Sequence, residues 1–147
     1  VTIGPDDEGV LWATGNQNSG CSVFVQDGRL VVDYNGFDDH TIVESSIEVP
    51  PGDHTLGVRL QRDSRTTGWA EVSIDGDACG RAAIPFYMRM VSSVGSSIAM
   101  DHGSAVSARY QAPFAFTGTL HDVTIVLPRR PSASEAEAAA TSEMSRQ

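Results

Sequence analysis

The chain has 147 residues, 40% of them hydrophobic and 20% charged, which fits one globular domain with a real core and excludes an intrinsically disordered protein. Its formal net charge is −9, all of it carried ahead of Pro128, where sixteen acidic residues outweigh seven arginines. So acidic a surface repels phosphate backbones and anionic headgroups, and no apolar run approaches the ~20 residues of a bilayer-spanning helix, so neither nucleic acid nor a membrane is expected as a partner. No secretory signal precedes the first strand, which tilts the expected location toward the cytoplasm.

In chain order, residues 9–13 read as a strand and 15–20 as a polar, glycine-rich loop. Residues 21–26 set Val23 and Val25 against Phe24, Asp27-Gly28 follows, and 29–34 form the next run. An Asp-Gly pair between two such runs predicts a two-residue hairpin, because the turn requires positive φ. Residues 40–45 read as a further strand. Pro50-Pro51-Gly52-Asp53 is a turn that introduces a strand over 54–61, with Leu56, Val58 and Leu60 on one face. The Asp-Gly device recurs at Asp75-Gly76, between runs at 69–74 and 79–84.

A long irregular stretch follows, rich in small residues, and feeds a last strand that alternates to Leu127. In that strand Val123, Ile125 and Leu127 face one way, and Leu120, Thr124 and Val126 the other. Short strands at this spacing, with no helix between them, predict an all-β antiparallel two-sheet sandwich over residues 1–127. Residues 128–147 form a tail rich in Pro, Arg, Ala and Glu. Its Ser132-x-x-Glu135 has the form of a capping box, and the alanines after it support a short helical or frayed end.

Chemistry is sparse. No Gly-x-Ser-x-Gly elbow is present, and a phosphate-cradling loop would need a lysine that the chain lacks. His40, His54, His102 and His121 share no metal-binding spacing. Only Asp39-His40 and Asp101-His102 set a carboxylate beside an imidazole, and neighbours in a strand point to opposite faces. No catalytic residue and no cofactor are therefore expected. Asp38, Asp39 and Asp101 are weak candidates for a structural Ca²⁺, a cation that takes loop oxygens. Trp12, Tyr34 and Trp69 are candidate stacking platforms for sugar rings. Cys21 and Cys79 lie in no paired motif and are read as buried free thiols, with a disulfide left open.

Two patterns together carry a family resemblance. The first runs Cys21-Ser22-Val23-Phe24-Val25-Gln26-Asp27-Gly28-Arg29-Leu30-Val31-Val32-Asp33-Tyr34, then Pro51-Gly52-Asp53-His54, then Ile74-Asp75-Gly76. The second is Asp101-x-Gly103-Ser104-x-Val106-Ser107 with Tyr110, then Pro113-Phe114-x-Phe116-Thr117-Gly118-Thr119-Leu120. The combination resembles the C-terminal domain of bacterial, especially actinobacterial, arylsulfatases, a domain similar to the concanavalin A-like and laminin G-like jelly roll.

The resemblance implies an accessory module that packs on a sulfatase catalytic domain or another protein surface. It does not imply an active site here. The Cys-x-Pro-x-Arg motif that such sulfatases convert to formylglycine is matched at neither cysteine: Cys21 is followed by Ser22-Val23-Phe24-Val25, and Cys79 by Gly80-Arg81-Ala82-Ala83. Tyr110, Phe114 and Phe116, on the long loop, are the expected points of contact with the neighbouring domain. A carbohydrate-binding module and a free-standing glucanase-like hydrolase are the alternatives. The hydrolase lacks the Glu-x-Asp-x-x-Glu trio it would need.

Overall fold

The computed structural model describes residues 1–88 and 94–128, so the expected helical tail lies outside the described residues. The described chain is all β, with ten strands: β1 (Thr2–Ile3), β2 (Gly9–Asn16), β3 (Ser19–Gln26), β4 (Arg29–Asn35), β5 (His40–Glu44), β6 (Gly52–Asp53), β7 (Leu56–Arg62), β8 (Gly68–Ile74), β9 (Asp77–Ile84) and β10 (Ser96–Ile98). They form an antiparallel five-stranded sheet ordered β10-β2-β3-β4-β5, a three-stranded sheet ordered β7-β8-β9, and the small pair β1-β6. Both Asp-Gly hairpins form as expected, with positive φ at Asp27 (51°), Gly28 (73°), Asp75 (52°) and Gly76 (89°). The predicted loop at 15–20 is instead the tip of a third hairpin, in which Asn16 pairs with Ser19.

The five- and three-stranded sheets close on one another in a sandwich-like arrangement. Cys21, Val25, Leu30, Val32, Tyr34 and Val43 meet Ala70, Val72, Ile74 and Ile84 in one buried cluster. The alternation of β8 shows why: Ala70, Val72 and Ile74 are buried on one side, while Trp69, Glu71 and Ser73 face outward. On that outer face Trp69 lies between two guanidinium groups, Arg81 at 3.7 Å and Arg59 at 5.2 Å from the ring centroid.

The opposite face of the five-stranded sheet is apolar too. Val10, Ala13, Phe24 and Val31 form a second cluster with Val106 and Tyr110, Phe114 packing alongside. The stretch 99–116 thus acts as a third layer laid over this sheet. Phe24 is fully buried, with Tyr110 at 5.1 Å and Phe114 at 6.3 Å, both edge-on. Backbone bonds fasten the layer down: the Val10 amide donates to the Phe114 carbonyl (2.8 Å) and the Ala99 amide to the Leu11 carbonyl (3.0 Å). The approach is so close at Gly9 (φ +122°) that a Cβ there would strike the Ala115 carbonyl and the Phe116 Cα.

One expectation fails. Residues 121–127 form no strand: after Thr119 pairs with Thr2, the chain runs on without a ladder, leaving Ile125 58%, Val126 84% and Leu127 79% exposed. Alternation alone makes a segment able to pair, and among the described residues no neighbouring strand lies beside this one.

Phe24→Ala tests the third layer. It removes the ring on which Tyr110 and Phe114 rest, and the expected cost in denaturant unfolding is about 3–5 kcal/mol. A loss of less than about 1 kcal/mol would mean that 99–116 merely drapes over the sheet.

Candidate functional site

A cleft of about 250 Å³ is lined by Val1, Asp53, His54, Thr55, Asp75 and His121. It lies where the turn before β7 meets the β8–β9 hairpin and the end of the 117–121 stretch. Asp75 holds the hairpin to the turn: one carboxyl oxygen lies 2.7 Å from His54 Nδ1 and the other accepts the Thr55 amide at 2.8 Å. The Thr55 N–H, and then the imidazole, hold the Asp75 carboxyl below its usual range. On the other wall His121 Nε2 lies 2.7 Å from Thr2 Oγ1, which itself donates to Asp53.

A carboxylate-oriented imidazole is half of a general-base relay, and the missing half is access. His54 Nε2 has no hydrogen-bond partner and almost no exposed surface, so a substrate in the cleft cannot hand it a proton. Beside the cleft, the Thr2 hydroxyl is engaged by Asp53 and His121. The group ties three segments together.

The second carboxylate–imidazole pair was invisible in the sequence as a contact. His40 does not bond its neighbours. Its Nδ1 lies 2.9 Å from both oxygens of Asp33, whose side chain is fully buried, while Asp38 stays 3.8 Å from Nε2 and almost wholly exposed. The register supplies the reason: Asn35 pairs with His40 across β4 and β5, which sets Asp33 diagonally beside it on the same face. His54–Asp75 likewise joins residues 21 apart that meet only because β7 and β8 pair.

Each residue singled out from the sequence has a definite position. Asp101 is buried, and one of its oxygens accepts the Val106 amide (2.9 Å) and the Tyr110 hydroxyl (2.6 Å). Asp38 and Asp39 are exposed at the β4–β5 turn, and no group of three or more potential metal ligands occurs among the described residues. Tyr110 and Phe114 stack at 5.1 Å inside the second core cluster, and Phe116 packs against the first. Tyr110 is buried, while Phe114 and Phe116 are half-buried. Tyr34 is 1% exposed, and its hydroxyl accepts the Met88 amide at 2.8 Å, so it offers no platform to a sugar. Trp12 packs against the first core cluster, and Trp69 is flanked by its two arginines.

Both cysteines are free. Burial, and then the charge of Asp33, push the Cys21 thiol up to about 12, and burial raises Cys79 as well, which makes neither a ready nucleophile. Among the described residues no helix is long and apolar enough to cross a membrane. No protein-family model, curated protein or solved structure matches this chain.

Two outcomes follow from the paired groups. His40→Ala leaves the buried Asp33 carboxyl without its imidazole partner, and the expected destabilisation is about 3 kcal/mol, partly recovered in the double variant with Asp33→Ala. A double-mutant cycle with no coupling would show that the contact carries no energy. Because Asp75 is depressed in the folded state, its contribution is complete above the ordinary value of 3.8 and fades as pH falls through the folded one. Asp75→Asn should therefore flatten the acid limb of the stability profile below about pH 4, as followed by thermal melts across pH.

Proposed function

We propose that this chain is a non-catalytic β-sandwich accessory module of the concanavalin A-like jelly-roll type, resembling the C-terminal domain of bacterial arylsulfatases, and that it works by packing on a catalytic domain. One observation carries the reading. The described candidate groups for chemistry, Asp33–His40, His54–Asp75 and Asp101–Tyr110, are engaged within the domain, whereas Ile125, Val126 and Leu127 are turned out to water. Exposed apolar surface with no internal partner is a mark of an interaction site.

The order of motifs from Cys21 to Leu120 supports an arylsulfatase domain as the parent class, with the sulfate-ester chemistry supplied by the partner. The carbohydrate-binding alternative loses support from the burial of Tyr34 and from the third layer across the outer face of the five-stranded sheet.

The isolated chain should show no turnover of 4-nitrophenyl sulfate or of a β-glucan. Turnover abolished by His54→Gln would overturn the reading. Ile125→Asp should weaken co-purification with an arylsulfatase catalytic domain of the resembled class at least about tenfold while leaving the melting curve in place, since the side chain is already solvated. Unchanged co-purification would count against packing through this segment.

A further inference from the structure

Asn35 gathers three connections at one end of the five-stranded sheet. Fully buried, it donates to the carbonyls of Gln17 in the β2–β3 tip (2.9 Å) and of Val106 in the third layer (3.1 Å). Its Oδ1 accepts the Asp38 amide of the β4–β5 turn (2.8 Å), and the Gly36 amide donates to the Asp39 carbonyl (2.9 Å). Asn35 also pairs with His40 across β4 and β5, which sets the register of that turn. A two-residue hairpin turn that follows the strand twist needs positive φ at both central positions, and Asn-Gly takes them most readily. The chain has Asn35-Gly36, yet the register puts Phe37 and Asp38 there instead, with φ of 57° and 66°. A slip that brought Asn-Gly to the tip would pull Asn35 from its two carbonyls and His40 from Asp33.

Aspartate tolerates the left-handed region, whereas a phenylalanine there is held against its preference. Strain of this kind persists where the strained group has a use. Inside the domain the Phe37 ring has none: it is 68% exposed and belongs to neither buried cluster. A second exposed aromatic, Phe86, comes from the neighbouring segment, whose Phe86 carbonyl is the atom nearest to a Cβ placed on Gly36, at 3.4 Å. The flank of Phe37 is acidic. The Asp38 side chain is almost wholly solvated and Asp39 is exposed, while the adjacent His40 is engaged by Asp33 through Nδ1.

We infer that the β4–β5 turn is a docking anchor: the Phe37 ring enters an apolar pocket on the polypeptide on which the module packs, and basic side chains at the rim of that pocket face Asp38 and Asp39. This rests on the packing role proposed above and names a contact for it. Charge complementarity sets the character of the rim, because an acidic flank repels an acidic one and is attracted by a basic one. The pinned turn already holds the ring outward, so little backbone freedom is left to lose on docking.

The test uses Phe37→Asn in the full chain, since asparagine takes positive φ and brings no ring. The melting temperature of the variant should hold or rise, by up to about 5 °C. A fall would show that the ring serves the fold itself and would overturn the inference. Capture by an arylsulfatase catalytic domain of the resembled class should drop at least about tenfold. Asp38→Asn combined with Asp39→Asn should weaken capture and remove its dependence on salt, which screens the rim contacts in the parent chain. Salt-independent capture of the parent chain refutes the basic rim. Capture that Phe37→Asn leaves undiminished overturns the inference and leaves the packing role standing, whereas no capture of the parent chain sinks both, so the two failures are distinguishable. A dimer of the isolated chain in sedimentation, dissolved by Phe37→Asn, would make a second copy the occupant and also overturn the inference.

Discussion

The central constraint is that β4 is apolar on both faces. Leu30, Val31 and Val32 are consecutive and fully buried, and consecutive residues of a strand point opposite ways. Covering Leu30 and Val32 requires the three-stranded sheet. Covering Val31, with Phe24 beside it, requires something else, and residues 99–116 supply it. A strand buried on both sides needs two partners, and the domain is built as three layers for that reason.

The third layer accounts for much of the buried polarity. An irregular stretch laid on a sheet has no ladder of its own, so side chains must satisfy its backbone. Asn35 donates to the carbonyls of Gln17 (2.9 Å) and Val106 (3.1 Å), Gln26 to that of Arg109 (3.0 Å), and Asp101 accepts from Val106 and Tyr110. Arg109 reaches back to Glu44 at 2.7 Å, across the edge of the sheet. Residues that resemble catalytic groups in a bare sequence are here the fasteners of a loop.

Much of the fold was legible in the sequence because it rests on local rules. Asp27-Gly28 and Asp75-Gly76 encode their turns by tolerating positive φ, and the alternation at 54–61 and 69–74 encodes which face is buried. That Leu30-Val31-Val32 is covered on both sides was not read from the sequence, because nothing local says what covers it. The candidate site was less legible. Asp33 and His40, or His54 and Asp75, meet through the register of paired strands, and register is a property of two segments at once. Adjacency in sequence argues little for contact, and in Asp101-His102 the aspartate turns inward while the histidine stays exposed.

By itself, then, the sequence determined an all-β antiparallel chain and its hairpins, since turn chemistry and period-two patterning are written within a few residues. Only the tertiary structure decided that the long loop is a layer of the core, that Tyr34 and Tyr110 are interior, and that residues 121–127 form no strand and leave Ile125, Val126 and Leu127 exposed. Burial and pairing depend on what lies across the gap, and no local pattern specifies that.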